Sequence, residues 1–318
     1  VTSAPDAGTD RLLSRVLADP DARRVVLAGP GVVHEGAIGG LRAFAAAANV
    51  GVANTFGAKG VFNWDSPHHL GTVGLQARDF ELLGFAEREL IIATGLDRLE
   101  TRGHFALAPV RHVVPRDLAA LATVVVACRQ PIPPNDLYTK LSAIAQPGYV
   151  DDKVPLHPAR AVVTLGQVMP PGALVTATPG VAGLWVARTF PTPALEPGGP
   201  QRVIVPAARH LAPVARRALE AARAERPTAL VTTAPVTRAL RRELVVDRTR
   251  GTALPAPLLL VVWSEDATRR SPEELGAALT DALATPGLHE IDVAVALDDT
   301  RHLVEAAGPV VAWGGLER

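Results

Sequence analysis

Residues 57–79 read GAKGVFNWDSPHHLGTVGLQARD. Gly57, Gly60, Gly71 and Gly74 punctuate the stretch where backbone must bend or come close to another group. On either side the chain turns apolar, and residues 50–53 and 89–94 read as buried strands. A connector this long exceeds the usual join between strand and helix, and long ordered connectors tend to carry function. The expectation is a glycine-rich loop between two strands of a parallel sheet, beside a nucleotide-sized crevice.

Working outward, residues 24–28 (RVVLA) form a strand that runs into Gly29-Pro30-Gly31. A short helix over 10–17 precedes it, and residues 37–48 form a helix of good helix formers. A helix begun near Leu75 continues through 80–85. The strand at 89–94 ends in Gly95-Leu96-Asp97, and 110–114 and 123–127 supply a fourth and a fifth strand. This alternation argues for a doubly wound α/β domain, Rossmann-like in style. Ligands of such sheets sit beyond the carboxyl ends of the strands, which is where Gly29, Gly31, Gly71, Gly74, Gly95 and Asp97 fall.

From 131 to 156 prolines break the pattern around one helical piece near 137–145, which reads as a linker. The second half alternates again. Helices are expected at 157–168, 180–188, 207–224, 236–244 and 272–284, and strands at 173–177, 202–206, 229–233, 257–264 and 291–297. Residues 191–200 form a proline-rich loop, and Ser271 with Glu274 makes a capping box. The domain plan is thus 1–130, a linker over 131–156, and 157–318, each domain a mainly parallel sheet between helices.

Composition narrows the classes. Apolar residues at 48% against aromatics at 4% suit Ala-, Val- and Leu-rich helices on buried parallel strands. Basic and acidic residues balance at 32 each, so no net field draws the chain to nucleic acid or anionic lipid. The one cysteine, Cys128, excludes a disulfide framework; in TVVVACRQ it reads as a buried structural thiol. The start, VTSAPDAGTDRLL, has no signal-peptide core, and no apolar run is long enough to cross a membrane. A cytoplasmic protein is expected, and the Arg-, Ala- and Pro-rich, Lys-poor composition is associated with high-GC bacteria.

Three segments in order, RRVVLAGPGV, GAKGVFNWDSPHHLGTVGLQ and ERELIIATGLD, resemble the middle domain of acetolactate-synthase-like thiamine diphosphate (TPP) enzymes over about residues 22–100. The family's marks are a Gly-rich turn, a G-K-G segment, a His-Pro pair and an L-G-x-x-G loop. Their places are taken by Gly29-Pro30-Gly31, Ala58-Lys59-Gly60-Val61-Phe62, Ser66-Pro67-His68 and Leu70-Gly71-Thr72-Val73-Gly74. The second half resembles the family's diphosphate-binding domain in PLHPARAVVTLGQVMPPGALVTATPGVAGLWVARTF, RPTALVTTAPVTRALRREL, PLLLVVWSED and TPGLHEIDVAVAL.

The resemblance implies departures as well. The pyrimidine-binding domain, with its cofactor-activating glutamate, has no counterpart here. The family holds the diphosphate through Mg²⁺ with a G-D-G-[SA] turn and a later Asn. Thr233-Ala234-Pro235-Val236 and Ser264-Glu265 stand in those places, and Val205-Pro206-Ala207-Ala208-Arg209 replaces a glycine-rich loop. The expectation is a TPP pseudoenzyme acting as a partner subunit or a nucleotide-like ligand binder. Two alternatives are one half of a split TPP-dependent 2-oxo acid decarboxylase or carboligase, and a repurposed enzyme at the middle-domain strand ends. Thiamine diphosphate with Mg would then need a partner carrying the pyrimidine-binding domain. FAD or ADP is conceivable in the middle domain, although Arg98 is displaced from the flavin members' Arg and Val113-Val114-Pro115 replaces their acidic pair. Family analogy makes a dimer the expected homo-oligomer.

The residue readings stay paired. Gly29 and Gly31 either hold a phosphate or make a plain turn. Gln76 and Arg78 either touch a diphosphate or ribose or lie on a solvated helix face, the plainer account. His68 and His69 are metal ligands or, more simply, loop packing. Ser264, Glu265 and Asp266, near Thr232 and Thr233, are a relocated cation site or a polar rim. Arg238, Arg241, Arg242, Arg248 and Arg250 are an anion-meeting patch or a solvated face. No nucleophile–base pair and no zinc spacing is present, so no catalytic or metal residue is assigned.

Overall fold

The computed structural model describes residues 7–101, 105–132, 134–248 and 254–316. The chain divides into two compact units, residues 1–140 with 193–199 and residues 141–192 with 200–318. Each unit is an α/β domain on five parallel strands.

In the first domain the strands are β1 (Arg24–Ala28), β2 (Val52–Thr55), β3 (His69–Val73), β4 (Leu90–Thr94) and β5 (Val110–Val113). Their order across the sheet is β3-β2-β1-β4-β5. The helices are α1 (Ala7–Ala18), α2 (Gly31–His34), α3 (Ile38–Ala48), α4 (Asp79–Leu82) and α5 (Leu118–Leu121). Ile38, Leu41, Phe44, Ala45 and Ala48 recur at helical spacing and put one face of α3 into the core. Burying Phe44 alone is worth about 2–3 kcal/mol. Asn49 ends α3 in the left-handed conformation at φ 47°.

Two expectations need correction here. Residues 57–79 are not one loop, because β3 lies inside them and forms the sheet edge. His69-Leu70-Gly71-Thr72-Val73 has no apolar run, and its register against β2 shifts between Val52 and Ala53, so periodicity does not reveal it. Residues 123–127 form no strand. Their valines divide, with Val125 packed on the core and Val124 and Val126 exposed. The segment is tied down by Val126 N–H to the Leu17 carbonyl at 2.9 Å and by Arg24, whose guanidinium donates to the carbonyls of Val16, Ala48 and Val126. Cys128 is accordingly half-buried outside any strand, its thiol 3.6 Å from the Ala22 carbonyl.

Helix α6 (Asp136–Val150), with Pro147 inside it, follows. The second domain carries β6 (Leu174–Ala177), β7 (Val203–Ile204), β8 (Thr228–Thr233), β9 (Pro257–Ser264) and β10 (Gly287–Ala294), in the order β10-β9-β8-β6-β7. Its helices are α7 (Pro158–Val168), α8 (Val181–Thr189), α9 (Leu211–Arg223), α10 (Ala234–Arg248), α11 (Pro272–Leu283) and α12 (Thr300–Ala307). Strand β9 is apolar and buried from Pro257 to Trp263, as a central parallel strand should be. The Ser271–Glu274 capping box opens α11 as expected. The last strand starts earlier than expected, at Gly287, and α12 was not expected at all. The proline-rich loop reaches back into the first domain, where Leu195 N–H donates to the Gly60 carbonyl at 2.8 Å and Arg42 to the Leu195 carbonyl at 2.6 Å.

Candidate functional site

In the first sheet the connections reverse direction between β1 and β4, the position where open α/β sheets leave a ligand crevice. Here the turn after β1 meets the turn after β4. Gly29 N–H donates to the Thr94 carbonyl at 2.9 Å, and Gly31 N–H to the Gly95 carbonyl at 2.8 Å. A Cβ on Gly29 would lie 2.4 Å from the Gly95 oxygen, and one on Gly31 2.7 Å from the Gly95 Cα. The next amides, of Val32, Val33 and His34, donate to the carbonyls of Gly29 and Pro30 at 3.0–3.1 Å. These glycines serve the close approach of two backbone segments, and the turn's amides are spent on the chain itself.

The segment after β4 then crosses the end of β1 and reaches β2 and β3. Asp97 shapes it, its carboxylate accepting from Leu99 N–H at 2.8 Å and its carbonyl from Glu100 N–H at 3.1 Å. Glu100 is 3% exposed. Its Oε2 accepts from the Thr55 hydroxyl at 2.5 Å and from Gly57 N–H at 3.2 Å. A Cβ on Gly57 would sit 2.0 Å from Glu100 Oε1, and one on Gly74 2.2 Å from the Glu100 carbonyl oxygen. Burial pushes the Glu100 carboxyl up to about 7; the bonds from Thr55 and Gly57 pull the other way, and Asp97 adds repulsion. Sequence reasoning missed Glu100, since nothing local marks one glutamate between Leu99 and Thr101 as buried.

On the opposite face of the same edge, register places Thr72, Asn54, Ala28, Thr94 and Val113 in one row across all five strands. Asn54 Nδ2 donates to Thr72 Oγ1 at 3.3 Å and to the Thr55 carbonyl at 3.0 Å. Asn54 Oδ1 and Thr94 Oγ1 are buried without a hydrogen-bond partner, with small Ala28 between their strands.

The remaining residues singled out by sequence scatter around this edge. Gly71, at φ +121°, lies in β3 with open space where a Cβ would be. Gln76 is fully buried, which removes it from any solvated face; its N–H and that of Leu75 donate to Asp79 Oδ2. Arg78 is solvated and paired with Glu81 at 2.9 Å. Arg98 is exposed. His68 Nδ1 lies 3.0 Å from the Val50 carbonyl. Burial, and then Lys59, holds the His69 ring down at about 4, and its buried Nδ1 has no partner. Among the described residues no group of three His, Cys, Asp or Glu side chains is placed to hold a metal.

In the second sheet the reversal falls between β6 and β8. Thr178, just past β6, donates its hydroxyl to Thr232 of β8 at 3.1 Å, and both are buried. Strand β8 ends at Thr233 and α10 begins at Ala234, so strand passes to helix without an intervening turn. Thr237 donates back to the Thr233 carbonyl at 2.9 Å. Next to β8, β9 ends at Ser264, whose hydroxyl accepts from Asp266 N–H at 3.3 Å; Glu265 and Asp266 are exposed. Trp313 is 2% exposed at φ +57°, and its Nε1 donates to the Pro206 carbonyl at 2.8 Å. A Cβ on Gly183, in the first turn of α8, would lie 3.2 Å from the Trp313 ring. The indole therefore sits over the carboxyl ends of β6 and β7. Of the arginine patch, Arg241 is paired with Glu290, Arg238 and Arg242 are exposed, Arg248 ends α10, and Arg250 lies outside the described residues.

Residues 20–116 match the central domain of thiamine pyrophosphate enzymes. No curated protein matches the chain. Among solved structures, a Mycobacterium smegmatis protein assigned as a thiamin diphosphate-dependent enzyme has a similar fold, with a TM-score of 0.65 at 14% identity. The likeness covers 93% of this chain and 66% of that one, so the chain spans just under two thirds of the relative's length. No helix among the described residues is long and apolar enough to cross a membrane.

Proposed function

We propose that the chain, whose residues 20–116 match the central domain of thiamine pyrophosphate enzymes, is a degenerate, acetolactate-synthase-like member of that family. On this reading it does no carboligation by itself and serves as a partner subunit. The observation that carries the proposal is the junction of β8 and α10, where Thr233 leads straight into Ala234. No carboxylate occurs between Glu225 and Glu243, so neither strand nor junction supplies one.

The family's cofactor is a diphosphate, and a diphosphate is held through a hard cation that needs several oxygen ligands in a fixed shell. Around the ends of β8 and β9 this domain offers the Thr232 and Thr178 hydroxyls, bonded to each other, and Ser264, engaged by Asp266 N–H. Glu265 and Asp266 are exposed neighbours in sequence, and among the described residues no third carboxylate or imidazole joins them in a metal-holding group. This donor set does not fit a magnesium diphosphate. Thiamine chemistry resides on the cofactor's own reactive carbon, so no reaction step is assigned to these residues.

In the first domain the Gly29 and Gly31 amides are spent on the β4 turn, which counts against a phosphate held there. The test is an activity assay with purified chain, thiamine diphosphate, Mg²⁺ and a 2-oxo acid. The expected result is no decarboxylation above the protein-free control. Turnover by the chain alone would overturn the proposal, and turnover only after adding a subunit with a pyrimidine-binding domain would favour the split-enzyme alternative.

A further inference from the structure

Glu100 is a buried carboxyl with no cation bonded to it among the described contacts, in a place where three separate turns have been cut to its shape. The Thr55 hydroxyl and Gly57 N–H converge on one of its oxygens. Gly57 and Gly74 lack the Cβ that would strike its carboxylate and its carbonyl. Asp97 folds the turn that presents it. The segment it anchors, residues 95–101, runs from the Gly29–Gly31 turn after β1 to the Thr55–Gly57 turn after β2 and the Gly74 turn after β3. A group so placed pins that segment to the strand ends.

We propose that Glu100 is a proton-operated latch: as the carboxylic acid it holds residues 95–101 down across the strand ends, and as the carboxylate it lets them lift. The acid form suits the site, because burying a neutral carboxyl costs far less than burying an unpaired charge. Lifting takes the Glu100 oxygen away from the Thr55 hydroxyl and the Gly57 amide at the end of β2. This inference goes beyond the proposed function and does not depend on it.

Among the described residues, no charged group bonds the Glu100 carboxyl as a counter-ion. Asp97, on the latch's own segment, repels the carboxylate. Lys59, past the Phe56–Ala58 turn, bears on His69. Asp79, past the Gly74 turn, accepts the Leu75 and Gln76 amides. The sign follows from linkage. The closed carboxyl titrates near 7 and the opened one near its ordinary 4.5, so closure is strongest below 4.5 and is lost as pH rises to 7. Across that window opening becomes easier by roughly tenfold per pH unit, and above it levels off.

Amide hydrogen exchange of the full chain from pH 5 to 8, corrected for intrinsic rates, tests this. Protection over residues 96–101 should fall roughly tenfold per pH unit up to pH 7 in the wild type. In Glu100→Gln it should stay flat, because an amide keeps both hydrogen bonds and has no proton to lose. A flat wild-type profile, or the same slope in the variant, overturns the proposal. Carbon-13 titration of the wild-type glutamate carboxyls decides the matter if the variant fails to fold. One carboxyl titrating near 7 supports the latch, and all of them in the ordinary range overturns it.

Discussion

The two domains put the same kind of sheet to the same use and close its carboxyl edge with opposite chemistry. In the first, the buried Glu100 carboxyl is held by Thr55 and Gly57 at the end of β2. In the second, the Trp313 indole rests on Gly183 and the Pro206 carbonyl. A carboxyl closure depends on a proton, whereas an indole closure rests on packing and one neutral hydrogen bond. The difference teaches that two sheets of one style can bring side chains of opposite chemistry to their strand ends.

Substitutions can break that comparison, beginning with the largest expected effect. Trp313→Ala should destabilise the second domain by about 3–5 kcal/mol, the usual cost of emptying a buried aromatic site. Denaturant unfolding followed through second-domain amides would measure it, and a loss under 1 kcal/mol would mean the indole is not a structural closure. Gly29→Ala should cost the first domain about 3 kcal/mol, because the new Cβ meets backbone atoms of the β4 turn that cannot swing aside. If the glycine served only an external phosphate, stability without ligand would hardly change.

A smaller effect is expected at a site away from both edges. Ser271→Ala removes the α11 capping box and should cost about 1 kcal/mol, which calibrates the two larger values in the same experiment. The smallest effect is a pH dependence of the second domain. His157 Nδ1 caps α7 by accepting from Ala159 N–H at 3.1 Å, and burial holds the ring below its usual range, against the pull of Asp299. A lowered histidine gives stability that is present above about pH 6.5 and lost as pH falls. His157→Asn should keep the cap and flatten the acid limb of the thermal stability profile; an unchanged limb would remove His157 as its cause. His69 gives the first domain an acid limb of the same sign, from 6.5 down toward 4. The Glu100 dependence runs the other way and is read from the difference between wild type and Glu100→Gln.

The legible parts of the fold were those with one local cause. Continuous apolar runs gave away β1, β4, β8 and β9, and the Ser271–Glu274 spacing gave away the start of α11. Strand β3 hid because its partners, not its own residues, make it a strand. The three valines of 124–126 misled because only Val125 faces the core. Gly29, Gly31, Gly74 and Gly95 fall at strand ends as expected and Gly71 lies inside β3 instead, but the backbone contacts that call for glycine were not visible. Glu100 meets Thr55 and Gly57 across 45 and 43 residues of chain, a separation no local pattern records.

The central claim is that the β8–α10 junction has no means of holding a magnesium diphosphate, and calorimetric titration of the purified chain with thiamine diphosphate and Mg²⁺ tests it most directly. The account predicts no saturable heat up to millimolar cofactor, the regime of a binding free energy weaker than about −4 kcal/mol. Saturable binding at micromolar cofactor, near −8 kcal/mol, would contradict it.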